Sequence, residues 1–142
     1  MQIVIDLTFT KKINFLKSIG SDKVKHKNGS LLDHLIGTSE KLKQMGAPQY
    51  LQDAGLFHSV YGTVYFMPEG GLVENRQNVK DLIGEQAEEI AYLFCIIDNP
   101  RIENIWNIES DSLRKDLMLL EQANRDEQSE AEMMTWEEAY DV

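Results

Sequence analysis

Apolar residues recur every three or four positions along most of this chain, the spacing of helices that bury one face. Ile13, Phe15, Leu16 and Ile19 form one such stripe. It predicts a first helix capped by Thr8 or Thr10 and ended near residue 19 by Gly20. Residues 21–29 read as a polar, lysine-rich loop. Ser30, with Asp33 three places on, imitates a capping box at the start of a second helix over residues 31–45. Leu31, Leu35, Thr38 and Leu42 share one face of that helix, with His34 beside them, and Gly46 stops it. Pro48 suits the first turn of a third helix that continues to about residue 61 and turns Leu51, Ala54, Gly55, Phe57 and His58 inward.

A glycine- and proline-marked loop follows, in which residues 64–66 can be briefly extended. Helices over residues 74–83 and 85–98 come next, separated by Gly84. Pro100 breaks the pattern before a short segment over 102–106. Ser110 or Asp111 caps a last long helix over about 112–126, where Leu113, Leu117, Leu120 and Asn124 line one side. The chain from Glu127 onward reads as exposed, with Met133, Met134, Trp136 and Tyr140 able to dock it as a short amphipathic piece. Trp106 reads as a packing residue. The fold class is therefore all-α: one helical domain over residues 1–128 and an acidic tail over 129–142.

Charge narrows the choice of partners. The chain carries 14 basic and 24 acidic residues, a formal charge of −10. Seven of the acidic residues and none of the basic ones fall between Asp126 and Val142, so residues 1–125 hold 14 basic against 17 acidic residues. An acidic surface repels a phosphate backbone at long range, so no nucleic-acid partner is expected. Lys23, Lys25, His26 and Lys27 form the local exception: either a solvated loop or a rim that attracts an anion. The longest apolar run, residues 90–97, is too short to span a bilayer, so no membrane role is expected. The first six residues lack the basic flank and apolar core of a signal peptide. The single Cys95 reads as an inert core thiol in a reducing, cytoplasmic compartment.

Two histidines carry the candidate chemistry. His34 and His58 stand 24 residues apart on consecutive helices, where a short connection brings both imidazoles to one place. Neutral imidazole is a favoured ligand for Mn, Fe or Zn, although a lone histidine on an apolar face is more often a hydrogen-bonded core residue.

The segments around these histidines resemble the HD superfamily of metal-dependent phosphohydrolases, most nearly the (p)ppGpp-hydrolase domain of stringent-response enzymes. Ala54-Gly55-Leu56-Phe57-His58-Ser59 matches that family's A-x-L-x-H-D segment except at its last residue. Residues 82–91 look like the glycine-started helix that follows it. Ala123-Asn124, then Gln128 four residues later, stand where the family has Ala-Asp and then Asn. His58-Ser59-Val60-Tyr61-Gly62-Thr63 also resembles a subgroup of the fold that carries H-S-x-Y-G-T in place of the HD segment.

The resemblance covers roughly residues 24–128 and implies an HD-domain-like helical bundle. It implies a divalent metal at His34 and His58, with Ser59 and Asn124 at the positions of the two carboxylate ligands. A hydroxyl and a carboxamide are weak, neutral ligands, and losing two negative charges from a divalent-ion site weakens it strongly. A metal therefore needs a recruited carboxylate, Asp33, Asp53 or Glu121, of which Glu121 sits one turn before Asn124. The acidic pair that follows the HD segment in the (p)ppGpp hydrolases is replaced by Gly62 and Thr63.

The candidate pocket is His34, His58, Ser59, Tyr61, Thr63, Arg76, Asn124 and Gln128. Tyr61 reads equally as a core aromatic, and Arg76 either as a clamp for an anion or as one half of a surface salt bridge. The expected function is a diverged HD-fold protein that binds a small anionic molecule, of nucleotide or phosphoester type. If metal is retained, it is a metal-dependent hydrolase that processes this ligand. The alternative is a non-catalytic interaction module whose acidic tail meets a basic partner.

Overall fold

The computed structural model describes residues 7–26, 29–61, 76–97 and 99–132. Its described part is all-α, as the periodicity predicts. Seven helices and a single pair of two-residue strands make up its regular elements: α1 (Leu7–Ser18), β1 (Lys25–His26), β2 (Gly29–Ser30), α2 (Leu31–Gln44), α3 (Gln49–Leu56), α4 (Arg76–Ile83), α5 (Glu85–Ile96), α6 (Arg101–Trp106) and α7 (Asp111–Glu132). No helix among the described residues is long and apolar enough to cross a membrane.

The expected polar loop at 21–29 holds structure. β1 and β2 pair antiparallel, with Lys25 opposite Ser30 and His26 opposite Gly29. The segment is tied to the start of α2 because Leu31 N donates to Val24 O at 2.8 Å and Leu32 N to Ser21 O at 3.1 Å. The capping box forms: Ser30 Oγ accepts from Asp33 N at 3.1 Å and Asp33 Oδ2 accepts from Ser30 N at 3.0 Å. Two free N–H groups at the helix start are thereby satisfied.

α3 is shorter than its hydrophobic pattern. The helix ends at Leu56, and residues 57–61 form turns. The cause is local. His58 Nδ1 donates to Gly55 O at 2.6 Å. That carbonyl is the one Ser59 N would need to continue the helix. α7 errs in the other direction: the stretch expected to be exposed from Glu127 stays helical to Glu132, and Gln128 is buried. Ser110 caps this helix, its Oγ accepting from Leu113 N at 3.2 Å. Trp106, expected to pack, is 61% exposed, with the Arg114 guanidinium 5.9 Å from its ring centre. Residues 64–66, Met133, Met134, Trp136 and Tyr140 lie outside the described residues.

Two apolar clusters form the core. Leu16, Leu31, Leu35, Leu56, Phe57, Val79 and Ala91 belong to one, and Leu42, Leu51, Ile90, Phe94, Leu117 and Leu120 to the other. α2 packs against both α3 and α7. Gly55 permits the close approach of α2 and α3, because a Cβ there would lie 2.5 Å from Leu42 Cδ1 and 3.5 Å from Thr38 Cγ2. The polar side chains buried where α2, α3 and α7 meet are His34, Thr38, His58, Asn124 and Gln128.

Candidate functional site

His34 projects from the second turn of α2 and is 3% exposed. Its Nε2 is 2.7 Å from Asn124 Oδ1, and its Nδ1 is 3.0 Å from Glu127 Oε2. The orientation of the Asn124 amide follows from its neighbours. Its Nδ2 donates to Glu121 Oε1 at 3.2 Å, and its Oδ1 also accepts from Gln128 Nε2 at 3.4 Å. Both nitrogens of His34 thus face side-chain oxygens. Glu127 reaches His34 over Gly37, where a Cβ would lie 2.6 Å from Glu127 Cγ.

His58 meets His34 edge to face, with ring centres 5.2 Å apart. Burial pushes its pKa well below the ordinary imidazole value of 6.5, and the nearby His34 pushes it further down. With its Nδ1 hydrogen committed to Gly55 O, the neutral ring keeps its lone pair on Nε2. The other edge of the group is built from α5 and α6. His58 lies edge-on to Phe94 at 5.5 Å, and the Arg101 guanidinium stands 4.3 Å above the Phe94 ring. Arg101 Nη1 is 3.5 Å from Glu121 Oε1, which returns the path to Asn124 and His34. These contacts form a closed circuit: His34, His58, Phe94, Arg101, Glu121, Asn124.

His26 adds the third histidine. Its ring stacks on that of His34 at 4.4 Å with an interplanar angle of 18°. The short β pairing holds it there, on a segment that also carries the exposed Lys23 and Lys25.

The structure brings together four of the expected pocket residues, His34, His58, Asn124 and Gln128. Ser59 is buried next to them in sequence, at 3% exposure. Tyr61 and Arg76 belong to a second network instead. Glu88, fully buried on α5, accepts Arg76 Nε at 2.7 Å and Arg76 Nη2 at 2.8 Å, as well as the Tyr61 hydroxyl. The Arg76 guanidinium also covers the Tyr92 ring at 3.7 Å. Arg76 is thus a salt-bridge partner: its Nε–Nη2 edge is spent on Glu88 and its face on Tyr92. Burial would raise the Glu88 pKa, but the hydrogen bonds from Arg76 and Tyr61 outweigh it and hold the carboxyl below its usual value. The same burial and the Glu88 contact raise that of Tyr61. Thr63 lies outside the described residues.

The donor set does not fit a resident divalent ion. His34 has both ring nitrogens engaged, and the Asn124 carbonyl is turned to His34. Glu121 is shared by Asn124, Arg101 and Arg125, the last at 3.7 Å. The other carboxylates open to recruitment are committed elsewhere: Asp33 in the capping box and Asp53 in a buried pair with Lys12 Nζ at 2.9 Å. Among the described residues no three His, Cys, Asp or Glu side chains are grouped to hold a metal. Cys95, expected to be inert, donates its Sγ hydrogen to His58 O at 2.9 Å, and burial pushes its pKa up to about 11.

Sequence reasoning missed Glu127 and Arg101, and read His26 only as part of a basic rim. One signal for the first was available. Gly37 stands inside a helix, one turn beyond His34, and a mid-helix glycine marks a close approach.

Fold and site together define an all-helical protein built around a buried histidine pair. The chain belongs to the family described as Domain of unknown function (DUF6817), whose model matches residues 15–99. That span holds both histidines and ends before α6 and α7. No curated protein and no solved structure matches the chain.

Proposed function

We propose that this protein is a diverged HD-type fold that binds a small anionic molecule, of nucleotide or phosphoester class, at the His34/His58 group without a resident metal. The observation that carries this reading is the stacking of His26 on His34. It brings His26, from the basic segment that the sequence marks out, against the buried polar group, and a basic rim draws an anion toward a site. The circuit through His34, Asn124, Glu121 and Arg101 supports it further, since convergent polar groups among apolar walls are what ligand pockets are made of. A cytoplasmic setting suits the free Cys95. Hydrolysis of a phosphoester would need a base to activate water, and His58 Nε2 is the candidate for that role.

Isothermal titration of the full chain with inorganic phosphate, AMP and adenosine, in EDTA and at low salt, tests the proposal. Phosphate and AMP should bind, and their affinity should fall as salt is raised. Failure of both to bind at millimolar concentration, or equal binding of uncharged adenosine, overturns it.

A further inference from the structure

Buried polar atoms are almost always hydrogen-bonded, so those that are not call for an explanation. Among the described residues three buried side-chain atoms have no partner: Ser21 Oγ, Arg101 Nε and Gln128 Oε1. Arg101 lies on the contact circuit described above, and Gln128 is joined to it through Asn124.

Arg101 uses its face on Phe94 and reaches Glu121 with Nη1 at the long distance of 3.5 Å. The edge bearing Nε–H remains. That edge is the one a phosphoryl or carboxylate oxygen takes in a two-pronged guanidinium contact. Gln128 is 2% exposed, and its Nε2 is held by Asn124. Its Oε1 can only accept a hydrogen bond, so a bare anion does not satisfy it. Glu121, which Arg101 contacts, and Gln128 both bond to the side-chain amide of Asn124.

We propose that Arg101 anchors the anionic group of the ligand while Gln128 Oε1 reads an O–H or N–H group on the same molecule. The ligand class is then a hydroxylated or amino-bearing phosphoester. This rests on the reading of the site given above and adds to it which groups are recognised and by which residues.

The test compares AMP with inorganic phosphate on the full chain and on the variants Arg101→Lys, Arg101→Gln, Gln128→Met and His58→Gln, with the fold checked by thermal melting. Arg101→Lys keeps the charge toward Glu121 and removes Nε–H, so it decides the matter if Arg101→Gln fails to fold. Wild-type protein should bind AMP more tightly than phosphate. Both Arg101 variants should weaken both ligands by roughly tenfold or more, the worth of a charged hydrogen bond. Gln128→Met should lower AMP affinity toward that of phosphate and leave phosphate unchanged. If the Arg101 and Gln128 variants bind AMP as the wild type does while His58→Gln does not, this inference falls and the site reading survives. If the wild type binds neither ligand, both fall.

Discussion

His34 Nε2 lies 2.7 Å from Asn124 Oδ1, a contact that joins the second turn of α2 to the middle of α7 across 90 residues of sequence. By the resemblance, both residues occupy metal-ligand positions. Here they bond to each other. The hydrogen bond costs nothing in desolvated charge on Asn124, and it leaves both side chains oriented by Glu127, Glu121 and Gln128. Asn124→Ala removes the acceptor from His34 and from Gln128 at once. The expected loss is about 1–3 kcal/mol, the cost of leaving buried donors unsatisfied, measured by urea denaturation at pH 7.5. No loss would mean that water replaces the amide without penalty.

The burial of His58 has a pH signature. Its folded pKa is depressed below the unfolded value, so below about pH 6.5 the unfolded chain takes up a proton that the folded chain refuses. Stability from this group is therefore unaffected above that pH and falls as the solution is acidified, by at most about 1.4 kcal/mol per pH unit. Glu88 acts at lower pH, since a depressed carboxyl pKa gives stability that is lost only as pH falls below the usual carboxylate range. Denaturation midpoints between pH 7.5 and 5 should thus fall more steeply for wild type than for His58→Gln. Equal slopes would show that His58 is not kept neutral by the fold.

The helix contact at Gly55 gives a packing test. An added Cβ would sit 2.5 Å from Leu42 Cδ1, and Leu42 is itself fully buried. Gly55→Ala should therefore destabilise by about 1–3 kcal/mol despite the better helix propensity of alanine. A stabilised variant, read from its melting curve, would show that α2 and α3 are free to move apart.

Glu88 is the keystone of the second network. Glu88→Ala leaves the Tyr61 hydroxyl and the Arg76 guanidinium without their buried acceptor, and about 2–4 kcal/mol of stability should go with it. Phosphate affinity should be unchanged, because the Glu88 carboxylate bonds to Arg76 and Tyr61 and not to the histidine pair. A parallel loss of phosphate binding in a variant that remains folded would join the two sites into one.

Much of the helix order was legible because period and capping signals are local. Ser30 with Asp33 announced the start of α2, and Gly84 the break between α4 and α5. What was not legible depends on side chains that act on the backbone or on residues far away. The His58 ring takes the carbonyl that would have extended α3, and no hydrophobic pattern records that. α7 continues past Asp126 because Glu127 and Gln128 have partners 93 and four residues away, whereas their composition reads as solvent-facing. The pairing of His34 with His58 was visible from their spacing. Arg101 was not, since its value lies in the contact with Phe94 and in reaching α7, and it follows a proline that marks only a break. His26 was visible as charge but not as a stacking partner, because its place is set by a strand pairing too short to leave a pattern.

The most direct measurement is an NMR titration that follows the imidazole signals of His26, His34 and His58 while inorganic phosphate is added in the presence of EDTA. All three rings should shift together and saturate at one apparent affinity. Signals that stay fixed while resonances elsewhere on the surface move would contradict an anion site at the histidine group.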